Sequence, residues 1–353
     1  MTQRSGHLVG QFNLEATGAN FRSKNPINPI VSDDEGFASI MAEVGPHGAA
    51  WILTSAKRYN PVSPKRSFST FAPVMPSISH IANLWSLVGH PSPKKEWSLE
   101  RKIEAVAESG FDGITTALTP DHRRFAEKHG LKDLLGFIST NDSAEFVETI
   151  RAQKEAGAVH INVQMDDHDT PPVLAAKHWI KLVRAAEKIG GVVPALEVHR
   201  DCCTETPEKT YEIAERYFDA TGELIHLNFD FSHFSVVKHL NPTNYVERLL
   251  DHPDLVQNSD QSHCRPFNGH HCQVAVTFRN KLTPETVSYL EFVRALFACW
   301  KKAPRNLDRT LYVCPEMGPY TATGGGYNIT GLPPAWTDAV RLRKELAKAW
   351  KSV

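Results

Sequence analysis

The sequence is short of several things, and each shortage removes a class of protein. No stretch approaches the roughly 18 apolar residues of a membrane-spanning helix, so no transmembrane segment is expected. The opening residues, MTQRSGHLVGQFNLEATG, hold one arginine and no continuous apolar core, so they do not read as a secretory signal. Neither sign of charge is in excess. Lys and Arg number 39 against 40 Asp and Glu, which leaves no basic surplus for a nucleic-acid partner. The six cysteines (Cys202, Cys203, Cys264, Cys272, Cys299, Cys314) form no CxxC pair and no disulfide framework. A reduced, cytoplasmic protein is the expectation. Histidine, by contrast, is plentiful at 17.

Residues 1–77 are irregular, dominated by Pro, Asn, Ser and charge, with no repeat and no heptad. They read as an extension packed on the main domain or on a second copy of the chain, so a homo-oligomer is a candidate assembly. From residue 78 onward, apolar runs of strand length alternate with helical patterns. Strands are expected at Ile81–Val88, Ile114–Leu118, Leu134–Ile138, His160–Met165, Val192–Val198, Ile225–Phe231, Leu255–His263 and Thr310–Pro315. Helices are expected between them, with Ser98 capping the first. One start signal, a cap residue followed by proline, recurs at Thr119-Pro120, Thr206-Pro207, Asn241-Pro242 and Thr283-Pro284. Eight strands in strict alternation with helices predict an α/β fold with a parallel sheet, closed as a (β/α)8 TIM barrel over 78–353. An open doubly wound sheet would ordinarily show a glycine-rich first turn; here that turn is Gly89-His-Pro-Ser-Pro.

In such a barrel the chemistry sits at the C-terminal ends of the strands. The stretch Leu227-Asn-Phe-Asp-Phe-Ser-His-Phe234 carries Asp230 and His233 within an apolar run, where a charge is costly unless paired or metal-bound. Glu197 lies 33 residues before Asp230 and His263 lies 33 residues after it. That is close to one barrel repeat of about 31 residues. Glu316 follows His263 by 53 residues, one repeat plus an insertion that Pro266–Leu282 largely supplies. Three carboxylates and an imidazole on adjacent strand ends suit one divalent ion, Mn²⁺ foremost, with Mg²⁺, Co²⁺ or Zn²⁺ as alternatives. His199 and Arg200 follow the fifth strand, Arg265 follows the seventh, and Trp85 lies late in the expected first strand. These four are the candidate substrate contacts.

The pattern Glu197, Asp230-x-x-His233, His263, Glu316 resembles the metal site of the xylose isomerase-like TIM barrels, the sugar phosphate isomerase/epimerase group. Asn83-Leu-Trp-Ser86 and Gly110-Phe-Asp-Gly-Ile114 are similar to that group's first strand and helix, and the resemblance covers about residues 79–353. It implies a small carbohydrate substrate and proton exchange by Glu197 and Glu316 through an enediolate, with His233 against a substrate oxygen. Two positions depart from the ketose 3-epimerase pattern: Cys203 stands where a second Glu is usual, and Gly269 where an Arg is usual. The same proton abstraction would serve a dehydratase or lyase. An endonuclease IV-like nuclease would need further histidines near strands two and three, and the third strand ends Ile138-Ser-Thr-Asn-Asp142 without one. A non-catalytic subunit is the remaining alternative.

Overall fold

A computed structural model describes residues 75–320, 326–329 and 331–353. The expected extension over 1–77 therefore lies almost wholly outside the described residues. The same holds for most of the glycine run Gly324-Gly-Gly.

The barrel strands are β1 (Ser77–Asn83), β2 (Gly113–Thr116), β3 (Asp133–Thr140), β4 (His160–Met165), β5 (Val193–Glu197), β6 (Leu227–Phe229) and β7 (Gln261–His263). Two residue pairs, β8 (Thr277–Phe278) and β9 (Lys281–Leu282), make a small antiparallel hairpin inside the insertion, and β10 (Thr310–Cys314) is the last barrel strand. The order around the barrel is β1-β10-β7-β6-β5-β4-β3-β2, every pair parallel. Closure comes from β1, which pairs with β2 (Ile81 opposite Gly113) and with β10 (Ile78 opposite Leu311). Gly113 is required where it is: a Cβ there would lie 1.9 Å from the Asp133 carbonyl oxygen of β3.

The helices follow the start signals. They are α1 (Leu99–Glu108), α2 (Pro120–Lys128), α3 (Phe146–Glu155), α4 (Pro172–Ile189), α5 (Pro207–Thr221), α6 (Phe231–Val237), α7 (Tyr245–Leu249), α8 (Pro253–Asn258), α9 (Pro284–Lys301) and α10 (Ala335–Lys351). The side chains of Ser98, Thr206 and Thr283 accept hydrogen bonds from Arg101, Lys209 and Thr286 N–H groups that no helical carbonyl reaches. Asn241-Pro242 opens only a short 3-10 turn that leads into α7. One apolar core lies between the helices and the barrel wall. A second, small one, Ile81, Leu135 and Cys314, fills part of the interior with Tyr312 packed on it.

Three local expectations fail, each where an apolar run fits two conformations. The first strand is Ser77–Asn83, not Ile81–Val88. The Asn83 side chain accepts the Trp85 N–H at 2.9 Å and turns the chain into a 3-10 helix, Leu84–Leu87, which carries Trp85. The Asp230 stretch is strand only to Phe229. Asp230 caps α6 by accepting the Ser232 N–H at 3.0 Å, so His233 is helical. Leu255–Asn258 belongs to α8, opened by His252-Pro253, which leaves Gln261–His263 as the strand.

Candidate metal centre and cavity

Glu197 ends β5, Asp230 follows β6, His263 ends β7 and Glu316 lies two residues past β10. These strands are consecutive around the barrel, so four side chains from distant parts of the sequence meet. One ligand atom from each lies within 4.8 Å of the other three, and all four residues are buried. His263 Nδ1 is 3.1 Å from Glu197 Oε1 and 3.3 Å from Glu316 Oε2. Among the described residues no other group of three or more such side chains could hold a metal.

Two amides close the ends of this row. Asn162 on β4 donates to Glu197 Oε2 at 2.7 Å, and Asn228 on β6 donates to Asn162 Oδ1 at 2.9 Å. Asn83 at the end of β1 donates to Glu316 Oε1 at 2.9 Å. Each glutamate thus has one oxygen fixed by an amide and the other turned toward His263. A hydrogen bond to a charged carboxylate is worth about 1.5–3 kcal/mol, so these are strong orienting contacts.

The electrostatics call for a cation. Burial would lower the His263 pKa, but the Glu316 and Glu197 carboxylates outweigh it and hold it well above the usual histidine range. Burial likewise opposes ionisation of Glu197, yet His263 and the Asn162 amide bring its carboxyl down to about 2. Asp230 is pulled well below the ordinary carboxylate range against burial, by Arg265 first and His233 next. Glu197 Oε1 and His263 Nδ1 are buried and lack a hydrogen-bond partner among the described residues. Buried groups without partners are costly, and a divalent ion bound to oxygen and nitrogen donors would satisfy both. The residues present therefore fit a metal ion.

Arg265 is itself almost fully buried. Its Nη2 pairs with Asp230 Oδ2 and lies 3.4 Å from Glu316 Oε2 and 3.3 Å from His233 Nε2. Three carboxylates balance one divalent ion plus this guanidinium, so the loaded centre would be neutral. Its Nε and Nη1 have no hydrogen-bond partner among the described residues. The guanidinium faces the Tyr327 ring at 4.5 Å, and Arg200 faces the same ring at 4.7 Å.

Beside the carboxylates lies a cavity of about 460 Å³, within the usual range for a small-molecule site. Asn83, Trp85, Thr115, Phe137, Gln164, His199, His263, Glu316 and Tyr327 are among the residues facing it. The expected substrate contacts divide here. His199 and Trp85 face the cavity. Arg200 is exposed and reaches Cys272 Sγ at 2.7 Å, while Arg265 is buried against the carboxylates. His233 is also withdrawn. Its ring packs on His199 at 4.2 Å between centroids, and its Nε2 is 3.4 Å from Asp230 Oδ2.

Asn83, Asn162 and Tyr327 had escaped the reading of the sequence as site residues. The signal was present for Asn162 and Gln164, two polar residues at alternate positions of the buried strand HINVQM, both on the barrel interior. For Tyr327, next to a glycine run, the sequence holds no such signal.

No protein-family model matches the chain, and no curated protein matches it. Solved structures show a distant likeness. A sugar phosphate isomerase/epimerase from Parabacteroides distasonis ATCC 8503 is 10% identical over 80% of this chain and 97% of that one, with a TM-score of 0.47. A protein of Rhodospirillum rubrum ATCC 11170, provisionally named a xylose isomerase, is 14% identical over 77% and 99%, with a TM-score of 0.49. A dihydrodipicolinate synthase from Oceanobacillus iheyensis is 10% identical over 79% and 78%, with a TM-score of 0.39. Likeness at this level says nothing of chemistry, which rests on the side chains. The closed strand order makes the chain a TIM barrel, and its side chains supply a buried Glu/Asp/His/Glu group that could hold a metal ion.

Proposed function

We propose that this protein is a divalent-metal-dependent isomerase or epimerase acting on a keto sugar, a cyclitol or a related sugar derivative. The observation that carries the reading is the placement of Glu197 and Glu316 at the two ends of one cation-demanding row, each with one oxygen fixed by an amide. Two aimed carboxylates on either side of a substrate carbon can take a proton and return it, through an enediolate. Glu197, Asp230, His263 and Glu316 would hold the ion, Mn²⁺ before Mg²⁺, Co²⁺ or Zn²⁺, and the ion would supply the charge that acidifies a C–H beside a carbonyl.

The chain's own residues do the rest. Trp85 offers an aromatic face to the cavity and His199 a ring nitrogen. Arg265, paired with Asp230 and beside Glu316, would keep the loaded centre neutral, which suits an uncharged sugar. His233 acts through Asp230 and Arg265, as a positioning residue. The six cysteines are all free, in keeping with a reducing, cytoplasmic setting. The partner we propose is the small-molecule substrate, not a nucleic acid or a membrane.

A second reading has its own observation. Tyr327 Oη is 3.5 Å from His199 Nε2 at the cavity wall, and burial pushes the phenol up to about 12, so it stays protonated. A protonated phenol there could give its proton to a departing group, which would make the enzyme a dehydratase or lyase on a keto-sugar, an inosose or a 3-keto-glycoside.

The test is NMR of a keto-sugar and inosose panel in D₂O with metal-loaded protein. Exchange of one C–H for deuterium without loss of any substituent supports the isomerase. Exchange followed by elimination supports the lyase. If no panel member exchanges, or if Glu197→Gln and Glu316→Gln both exchange at the parent rate, proton transfer by these carboxylates is wrong.

A further inference from the structure

Away from the barrel centre, two histidines meet at the surface. His239 lies two residues past α6, and His270 lies in the insertion that follows β7. Their Nε2 atoms are 3.4 Å apart, and their rings stand at 77° with centroids 4.5 Å apart. We propose that His239 and His270 form a second, separate metal site for an imidazole-seeking divalent ion such as Zn²⁺, Cu²⁺ or Ni²⁺.

The separation is the first argument. Two imidazole nitrogens bound at about 2.0–2.1 Å to a tetrahedral ion lie about 3.4 Å from each other. The pair has that spacing. As a direct imidazole–imidazole hydrogen bond, 3.4 Å is long. Both rings are exposed, so turning both lone pairs onto one point needs only side-chain rotation.

The backbone is the second argument, because a chelating pair must be held together. His239 is in the left-handed region at φ 54°, a conformation seldom adopted without a reason, and its N–H is tied to the Val236 carbonyl at 3.2 Å. The insertion packs directly on this turn. A Cβ at Gly269 would lie 2.3 Å from the Leu240 carbonyl oxygen and 3.0 Å from the His239 carbonyl carbon, so only glycine permits the approach. Next in the chain, the Asn268 side chain accepts the backbone N–H groups of His270 and His271, both at 2.9 Å, and fixes the turn that presents His270. Two segments distant in sequence are thus locked with their imidazoles facing.

Chemistry separates this pair from the barrel centre. The centre has three carboxylates and one imidazole and favours hard ions; an all-nitrogen pair favours Zn²⁺, Cu²⁺ and Ni²⁺. With two protein ligands the remaining positions go to water, and binding is reversible. The consequence reaches inward. Two residues after His270, Cys272 Sγ lies 2.7 Å from Arg200 Nη1 and 3.9 Å from His233 Nδ1. An ion on the pair would therefore clamp the loop that holds Cys272 against Arg200 and His233.

The test uses the full chain, together with His239→Gln and His270→Gln. Both positions are exposed, so both variants should match the parent melting curve in EDTA. Titrated with Zn²⁺ by calorimetry after saturation with Mn²⁺, the parent should bind one equivalent beyond any that displaces Mn²⁺ at the barrel centre, and each variant should lose that equivalent or bind it at least ten-fold more weakly. With Cu²⁺, electron paramagnetic resonance should show coupling to two nitrogens, which the single imidazole of the barrel centre cannot give; both variants should lose it and Asp230→Asn should keep it. Equal Zn²⁺ uptake and equal affinity in the parent and both variants would leave a hydrogen-bonded pair only and overturn the proposal. Because Asp230→Asn is read separately, failure of this site and failure of the barrel centre give different results.

Discussion

The mouth of the barrel has two halves that differ in kind. The half built from β5, β6, β7 and β10 presents Glu197, Asp230, His263 and Glu316, all ionisable and buried. The half built from β1 to β4 presents Asn83, Thr115, Phe137, Asn162 and Gln164, none of them ionisable. The halves join at two seams, β4 with β5 and β10 with β1, and each seam is crossed by one amide-to-carboxylate hydrogen bond. The neutral half therefore does more than line the cavity. It fixes the two glutamates at the ends of the charged row, while Asp230 and His263 in its middle are fixed from within.

The sharpest way to break this division is to remove charge from the charged half. Glu197→Gln and Glu316→Gln should each lower kcat by about 10²–10⁴-fold, the usual worth of a positioned acid or base. Asp230→Asn should cost the ion itself, read as metal per chain after dialysis, because it leaves Arg265 paired with a neutral amide. If Asp230→Asn keeps a full equivalent of metal, Asp230 is a partner for Arg265 and not a ligand.

The seams come next. Asn162→Leu and Asn83→Leu should each lower metal affinity or turnover by about 10–100-fold, the common effect of losing a group that orients a ligand. At Asn162 the loss should come without a change in fold, since its side chain points into the barrel, whereas Asn83→Leu also removes the cap of the Leu84–Leu87 turn and should shift Trp85 as well. An effect as large as that of Glu197→Gln would make the amides part of the chemistry and erase the distinction between the halves.

How much of this was legible in the sequence follows the same division. The charged half could be read because its residues are anomalous: Asp230 in an aromatic run, with Glu197 and His263 one barrel repeat away on either side. The neutral half could be read only in part: Asn162 and Gln164 alternate along a buried strand, but an asparagine at a strand end, as Asn83 is, has many ordinary uses. The fold was legible through alternation and the cap-proline signals, and the strand ends were not. A run such as Leu255-Val-Gln-Asn258 has the composition of either element. Its helical state is decided by Pro253, which starts α8. Asp230 shows the limit from the other side. Its register was right and its local structure wrong, since the side chain that was expected to end a strand also caps a helix.

The neutral half should also set the acid limb of stability. Burial lowers the imidazoles of His80 on β1 and His160 on β4 from about 6.5 to about 4; Arg343 adds to the effect at His80, and nearby Asp112 and Asp260 oppose it at the two sites. A folded pKa below the unfolded one means the unfolded chain binds more protons between those values. Stability from both groups is therefore complete above pH ~6.5 and is lost as the pH falls toward ~4. Melting temperature measured in EDTA should drop over that window, and the drop should shrink in His160→Gln. A flat profile between pH 7 and 4 would show that these rings are not held neutral by burial.

The smallest expected effect falls where the two halves meet above the cavity. Gly318, just past β10, lies against the Trp85 ring, and a Cβ there would be 2.5 Å from Trp85 Cη2 and 2.9 Å from Tyr327 Cβ. Its backbone is pinned on both sides: Gly318 N–H donates to Gln273 Oε1 at 2.7 Å, and Gln273 Nε2 donates to the Gly318 carbonyl at 3.0 Å. In Gly318→Ala the backbone cannot retreat, so the Trp85 ring must move. Trp85 faces the cavity and is not one of the four ligands, so binding of the sugar should weaken while the carboxylate row stays as it is. The expected result is a KM raised by several-fold, with kcat and metal content within about two-fold of the parent, which corresponds to less than ~1.4 kcal/mol of ground-state binding. A fall in kcat at unchanged KM would place Trp85 in the reacting geometry and move the boundary between binding and chemistry into the neutral half.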